Sequence, residues 1–196
     1  MKSRLQTILL ALAVPVAASA APVTYDIDPL HSFPYFSVNH MGMSNIHGRF
    51  ERMTGKVVYD SAAKTGSMEV KVPTATVSTG DARRENGARS RDEHLRSADF
   101  FNSAEFPDMA FKSTKFNFAG DKLDSIEGNL TMVGVTRPVK LQVTHFVCGP
   151  NPYSKKPMCG AGAEGTIKRT DFGIKYGVPG ISDEVKLEIG VEAYAE

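Results

Sequence analysis

The sequence predicts an all-β domain, folded as a sandwich or an up-and-down barrel, and three observations carry that prediction. Apolar and polar residues alternate with period two in run after run. The turns between the runs hold Gly, Asp, Asn and Pro. Eight or more such runs fit into roughly 176 residues, one domain by the usual length prior.

The first twenty residues stand outside that pattern. Lys2 and Arg4 form a positive head, Ile8 to Val16 an apolar run, and Ala18-Ser19-Ala20 the small residues a signal peptidase reads. Cleavage is expected after Ala20, dividing the chain into a signal peptide, residues 1–20, and one domain, residues 21–196. The run is too short to cross a bilayer, which takes about 18 apolar residues or more. The expected address is the periplasm.

Strands are expected at Val23–Ile27, Phe33–Asn39, Gly48–Asp60, Met109–Phe118 and Gly160–Lys175. Alternation marks four more. Val185, Leu187, Ile189, Val191 and Ala193 alternate with Lys186, Glu188, Gly190, Glu192 and Tyr194. Met68, Val70 and Val72 alternate with Glu69, Lys71 and Pro73, and Val139, Leu141 and Val143 with Lys140, Gln142 and Thr144. Ile126, Gly128, Leu130 and Met132 form the fourth set. This is the signature of antiparallel strands with one wet face, and it puts Val70, Val72, Leu130, Met132 and Leu141 on a shared inner face.

Asp81 to Phe101 breaks the alternation. Ser90 with Glu93 three residues on is a capping box, so a short helix is expected from Arg91 to about Ser97, with Leu95 as its apolar contact. The segment ends on Phe100 and Phe101. It reads equally as a lid or as a solvated connector.

Cys148 and Cys159 flank Gly149-Pro150-Asn151-Pro152 and Lys155-Lys156-Pro157, between two strand-like runs. In an oxidising compartment this spacing reads as a disulfide closing a long hairpin loop. A redox-active pair normally uses Cys-x-x-Cys, which is absent.

Charge excludes further classes. Lys+Arg number 23 and Asp+Glu 22; with Lys2 and Arg4 removed the balance is 21 to 22, or −1. A nucleic-acid binder normally shows a basic field. Gly160 to Gly165 spells G-x-G-x-x-G but runs into an alternating strand, where the dinucleotide fingerprint has no meaning. His31, His40, His47, His94 and His145 make no His-x-His or His-x-x-x-His spacing. No nucleophile, base and orienting group assemble in sequence, so no catalytic residue, cofactor or metal is assigned.

Tyr25-x-Ile27-Asp28-x-x-His31-Ser32-x-x-x-Phe36-x-Val38-x-His40-x-Gly42, followed by Gly48-x-Phe50, resembles the opening of the YceI-like family. Arg91-Asp92-x-His94-Leu95, Phe100-Phe101 and Phe106-Pro107 resemble its central segment. Gly128-x-Leu130-Thr131-x-x-Gly134-Val135-Thr136-Arg137-Pro138-Val139 resembles its later hairpin, and Arg169-x-Asp171-Phe172-Gly173 with the last strand its end. The ordered set covers nearly all of residues 21–196. The resemblance implies a lipocalin-like, eight-stranded antiparallel barrel with a short helical insertion. True lipocalins carry Gly-x-Trp in the first strand and this chain has no Trp, so the likeness is one of architecture.

The resemblance also implies a periplasmic protein, not an enzyme, that binds a polyisoprenoid or similar long amphiphile inside the barrel, and it associates the chain with stress responses. Transient membrane contact is expected and nucleic acid is not. The binding set is Phe36, Val38, Phe50, Val70, Val72, Leu95, Phe100, Phe101, Phe111, Leu130, Met132 and Leu141. Arg91 is the head-group candidate among Arg83, Arg84, Arg89, Arg91 and Arg96, set against the reading that Asp81, Glu85, Asp92 and Glu93 absorb this charge locally. Two other readings stay open: a lipid-modifying enzyme using His31, His40 and Asp28 as acid/base groups, and an interaction module with a filled core.

Overall fold

In the computed structural model, which describes residues 21–82 and 87–196, the alternating runs close into an antiparallel barrel of eight staves. The proposed signal peptide lies outside the described residues. Three staves are each built of two strands in line. β1 (Val23–Ile27) and β2 (Phe33–His40) form the first, β3 (Ser44–Phe50) and β4 (Thr54–Asp60) the second, and β5 (Thr65–Pro73) and β6 (Val77–Ser78) the third. β1 pairs with β4 and β4 with β5, while β2 pairs with β3 and β3 with β6. Then come β7 (Asp108–Ala119), β8 (Lys122–Met132), β9 (Val135–Pro150), β10 (Pro157–Lys168) and β11 (Glu184–Ala195), each paired with the next. β5 pairs with β7, and β11 closes the ring by pairing with both β1 and β2.

The three interruptions adjoin one another, so one wall of the barrel bends as a unit. Pro29 and Pro73 lack the N–H a ladder needs. In the second stave the expected strand Gly48–Asp60 is split, because the chain turns at Glu51–Met53 and buries the Met53 side chain in the core. The strand expected over Gly160–Lys175 is corrected too. It stops at Lys168, where a 3-10 turn over Arg169–Phe172 ends on Gly173 at φ 87°, a left-handed conformation that glycine takes without a Cβ penalty.

Three β-bulges shift the pleat. The register steps over Thr114 in β7, Asp124 in β8 and Thr144 in β9. Each extra residue reverses which parity faces inward. Met109 and Phe111 are therefore followed inside by Phe116, and Leu141 and Val143 by Phe146.

The break at Asp81–Phe101 holds the one α-helix among the described residues, α1 (Arg91–Arg96). Its capping box is formed: the Ser90 hydroxyl accepts from Glu93 N, and the Glu93 carboxylate accepts from Ser90 N. Asp92 is buried and accepts from both the backbone N–H and the hydroxyl of Thr79, tying α1 to the end of β6. Leu95, Phe100 and Phe101 pack on the core, so the segment caps the barrel.

Candidate functional site

The two ends of the barrel differ. At one end Tyr59, Phe118 and Phe146 form an aromatic floor: Tyr59 stacks on Phe118 at 6.4 Å and meets Phe146 edge-on at 5.2 Å. The β9–β10 hairpin extends from that end. Cys148 and Cys159 sit opposite each other in its register and are joined as a disulfide. At the other end lie the β2–β3 hairpin, α1 and the loop from β10 to β11.

Between the ends is a cavity of about 740 Å³, in the size range of small-molecule sites. Its wall comes from the inner faces of all eight staves and is overwhelmingly apolar. At about 30 Å³ for each water-sized group, it has room for on the order of 25 carbons. The exposed residues of its lining, apart from Tyr35, are Ser44, Arg89 and Tyr176, all at the α1 end, so the cavity opens there.

Two glycines make space for rings on this wall. A Cβ at Gly48 would lie 2.4 Å from the Phe36 ring, and one at Gly128 would lie 2.4 Å from the Phe111 ring. Each ring lies across a bare backbone and leaves the interior open. Phe36, Phe50 and Phe101 then form a chain of tilted and edge-on contacts at 5.9 and 5.3 Å, running from the wall to the α1 cap.

All twelve apolar residues expected from sequence line this cavity, and so does Arg91. Sequence reasoning missed Met53, Met68, Phe116, Phe146 and Ile174. Phe116 and Phe146 follow bulges, and Met53 lies in a break, so alternation could not reach them. Alternation groups Met68 with Val70 and Val72, and that is the signal that points to it.

Polar groups gather at the mouth. Arg91 donates through Nε to the Thr79 hydroxyl at 2.9 Å and lies 3.8 Å from Asp81. His94 Nε2 is 2.7 Å from Asp99 Oδ2, and Arg89 is 3.5 Å from the same carboxylate. The His94 ring also meets Phe100 and Tyr176 edge-on at 5.0 and 4.7 Å, linking α1 to the β10–β11 loop. Arg83, Arg84 and Glu85 lie outside the described residues.

Arg169 underpins the mouth. It is 4% exposed, lines the cavity, and donates to the carbonyls of Ser182, Ile174, Tyr176 and Ile181. Burial pulls its pKa below the ordinary value, an effect that nearby Asp183 opposes. Asp183 accepts from Thr170 N and the Thr170 hydroxyl, and the backbone N–H is the main reason its pKa is lowered.

The acid/base trio considered from sequence does not assemble. Asp28 and His31 pair at 2.7 Å beside Glu192, but neither lines the cavity. His40 does line it, at the far end of β2, a strand of eight residues that spans about 26 Å. Asp28, His31 and Glu192 are the one grouping of three metal-ligating side chains found among the described residues, with ligand atoms within 4.8 Å of one another. His31 Nδ1 is already engaged by the Asp28 carboxylate, which makes this an ion pair on the outer wall.

Comparison with known proteins agrees with this architecture. The family model described as YceI-like domain matches residues 25–193. Protein YceI of Escherichia coli O157:H7 is 39% identical over 179 residues, covering 90% of this chain and 89% of its own. The crystal structure of the Campylobacter jejuni YceI protein superposes with a TM-score of 0.64 at 27% identity, over 81% of this chain and 90% of that one. A polyisoprenoid binding domain from Saccharophagus degradans, implicated in plant cell wall breakdown, shares the fold with a TM-score of 0.62 at 16% identity, over 89% of this chain and 99% of that one.

Proposed function

The chain belongs to the YceI-like family, and on that premise we propose that this periplasmic protein, which holds a hydrophobic ligand in its barrel, takes a polyisoprenoid or a comparable long-chain amphiphile and carries or sequesters it. The observation that carries the reading is the cavity itself: about 740 Å³, walled by apolar side chains, with the exposed lining residues Ser44, Arg89 and Tyr176 at the α1 end. Such a shape suits one long hydrocarbon tail with its polar end at the mouth. The fold shared with the polyisoprenoid binding domain of Saccharophagus degradans supports the choice of tail.

Magnitudes define the task. Each buried CH₂ is worth about 0.8 kcal/mol. A tail of five isoprene units, the roughly 25 carbons the cavity has room for, would then cost on the order of 20 kcal/mol to expose to water, which already reaches the ceiling of about 20 kcal/mol on non-covalent affinity. The protein therefore competes with a bilayer for its ligand and takes none from free solution. The twelve lining residues are the proposed tail site.

Arg91 is the proposed head-group contact, and its setting argues for an uncharged head. Its guanidinium is already shared between Thr79 and Asp81, which leaves little net charge to attract a phosphate. The test is organic extraction and mass spectrometry of lipid that copurifies from the periplasm. A long-chain isoprenoid near one per protein is expected; a protein that carries no lipid overturns the reading. Arg91→Ala is then expected to weaken a polyprenyl quinone more than a headless polyprene of equal tail length; equal loss for the quinone, the polyprenyl phosphate and the headless polyprene would mean that Arg91 only holds the α1 cap in place. A loss confined to the phosphate would assign Arg91 to an anionic head.

A further inference from the structure

The rim of the cavity has two unlike halves. One is the charged α1 segment. The other is made by two adjoining loops, residues 39–45 and 173–182. Met41 N donates to Gly180 O, Ser182 N to Asn39 O, and His40 bridges to Ile181. In a chain that is 23% charged, these two loops hold one formally charged side chain, Lys175. They also display large apolar groups to solvent: Met43 at 86% exposure, Met41 at 67%, and Tyr176 and Val178 beside them. Met41 holds φ at 55°, a left-handed conformation uncommon for a long side chain. The opposite end of the barrel also exposes Val147 and Tyr153, on the β9–β10 hairpin, but its turns are charged, with Asp60, Lys64, Asp121, Lys122, Lys155 and Lys156.

We propose that this uncharged lip is a membrane-docking surface, which seats Met41, Met43, Tyr176 and Val178 among the acyl chains of a phospholipid bilayer and opens the cavity onto the hydrocarbon. The proposal rests on the reading of the cavity as a site for a long amphiphile. Continuity is the main argument. His40, Ser44, Tyr176 and Ile181 belong to these loops and also line the cavity, so the exposed apolar lip and the apolar interior form one surface. A tail that slides along it never crosses water, whose cost would otherwise block transfer. An exposed apolar patch on a water-soluble barrel marks an interaction site. Charge argues for the hydrocarbon layer over the head groups: a polybasic contact would need several cations, and the lip has one. Docking is therefore expected on zwitterionic bilayers and to be nearly insensitive to salt.

The chain contains no Trp, so a single introduced indole reports position without background. Met43→Trp places it on the lip, and Tyr153→Trp places it at the other end, on a side chain 94% exposed. Full-length mature protein is mixed with vesicles of phosphatidylcholine and phosphatidylethanolamine. The expected result is a blue shift and quenching by acyl-brominated lipid at position 43 and neither at position 153. Met41→Asp with Met43→Asp is expected to lower co-flotation with the vesicles about tenfold per residue replaced, at 1.4 kcal/mol for each factor of ten. Aspartate tolerates the left-handed backbone at 41, and unchanged far-UV circular dichroism checks the fold.

Quenching absent at 43, or equal at 43 and 153, overturns the proposal. So does binding seen only with phosphatidylglycerol and abolished by high salt, which would assign the contact to the arginines of the α1 segment. Lipid extraction from the same preparation separates the two readings: bound lipid without insertion overturns the lip alone, and insertion by a protein with an empty cavity supports the lip and overturns the ligand.

Discussion

Arg169 places a cation in the barrel wall and meets it with four backbone carbonyls, all from the loop between β10 and β11. Removing it leaves those acceptors buried without a donor. Arg169→Ala is expected to cost about 3–5 kcal/mol, read from the urea midpoint, and Arg169→Lys to recover only part of this, since one ammonium cannot span the fork. Gly48 matters through what it lacks. Gly48→Ala drives a methyl into the Phe36 ring, so the ring must swing into the cavity. The expected cost is about 1–3 kcal/mol of stability, with a fall in copurifying lipid measured by mass spectrometry. His31 gives a pH signature. Its hydrogen bond to Asp28, and then the Asp28 charge, raise its pKa above the ordinary value. Burial pushes the Asp28 carboxyl up, but the His31 and Leu30 contacts outweigh it and hold the carboxyl low. The pair therefore stabilises the fold fully below the unfolded histidine pKa of about 6.5, and the contribution fades as pH rises through the raised value. At the acid end it is lost as pH falls through the lowered pKa of Asp28. The stability difference between the native chain and His31→Gln is expected to be largest near pH 5–6 and to vanish at alkaline pH, as read from unfolding curves across that range.

At the scale of elements, the β9–β10 hairpin is tied by its disulfide. Replacing Cys148 and Cys159 together by Ser is expected to cost about 2–3 kcal/mol, the chain-entropy value for a loop of this length. Guanidinium unfolding measures it, and alkylation of the unreduced, denatured native chain should label neither thiol. This bridge was legible because compartment and spacing both pointed to it, and α1 because Ser90 and Glu93 form a complete capping box. The strands were legible where one parity stays inside, as in β5 and β11. They were not where a bulge reverses parity, since nothing distinguishes Thr114 or Thr144 from an ordinary outward residue in a strand. Arg169 was hidden for another reason. The alternation runs on through Lys168, and only the tertiary fold shows that the chain turns there and that the guanidinium points inward.

At the scale of the molecule, the inner faces of eight staves leave an open volume where a packed core would have filled it. Leu130 stands on that wall two residues before the end of β8. Leu130→Phe is expected to reduce lipid per protein while the unfolding midpoint changes little, because the added ring enters empty space. Unchanged lipid stoichiometry across a series of such enlargements would place the ligand elsewhere. The closure of the ring has a consequence in time as well as in space. The first stave finds its second partner only in the last strand, with Tyr25 opposite Ala195 and Ile27 opposite Ala193. A polypeptide is synthesised from its N-terminus, so β1 and β2 wait with one edge bare until β11 emerges. Loss of β11 would leave two raw edges, on β10 and on the first stave, each a template for another copy of the chain. The twelve residues of β11 thus act as the latch that covers both edges at once.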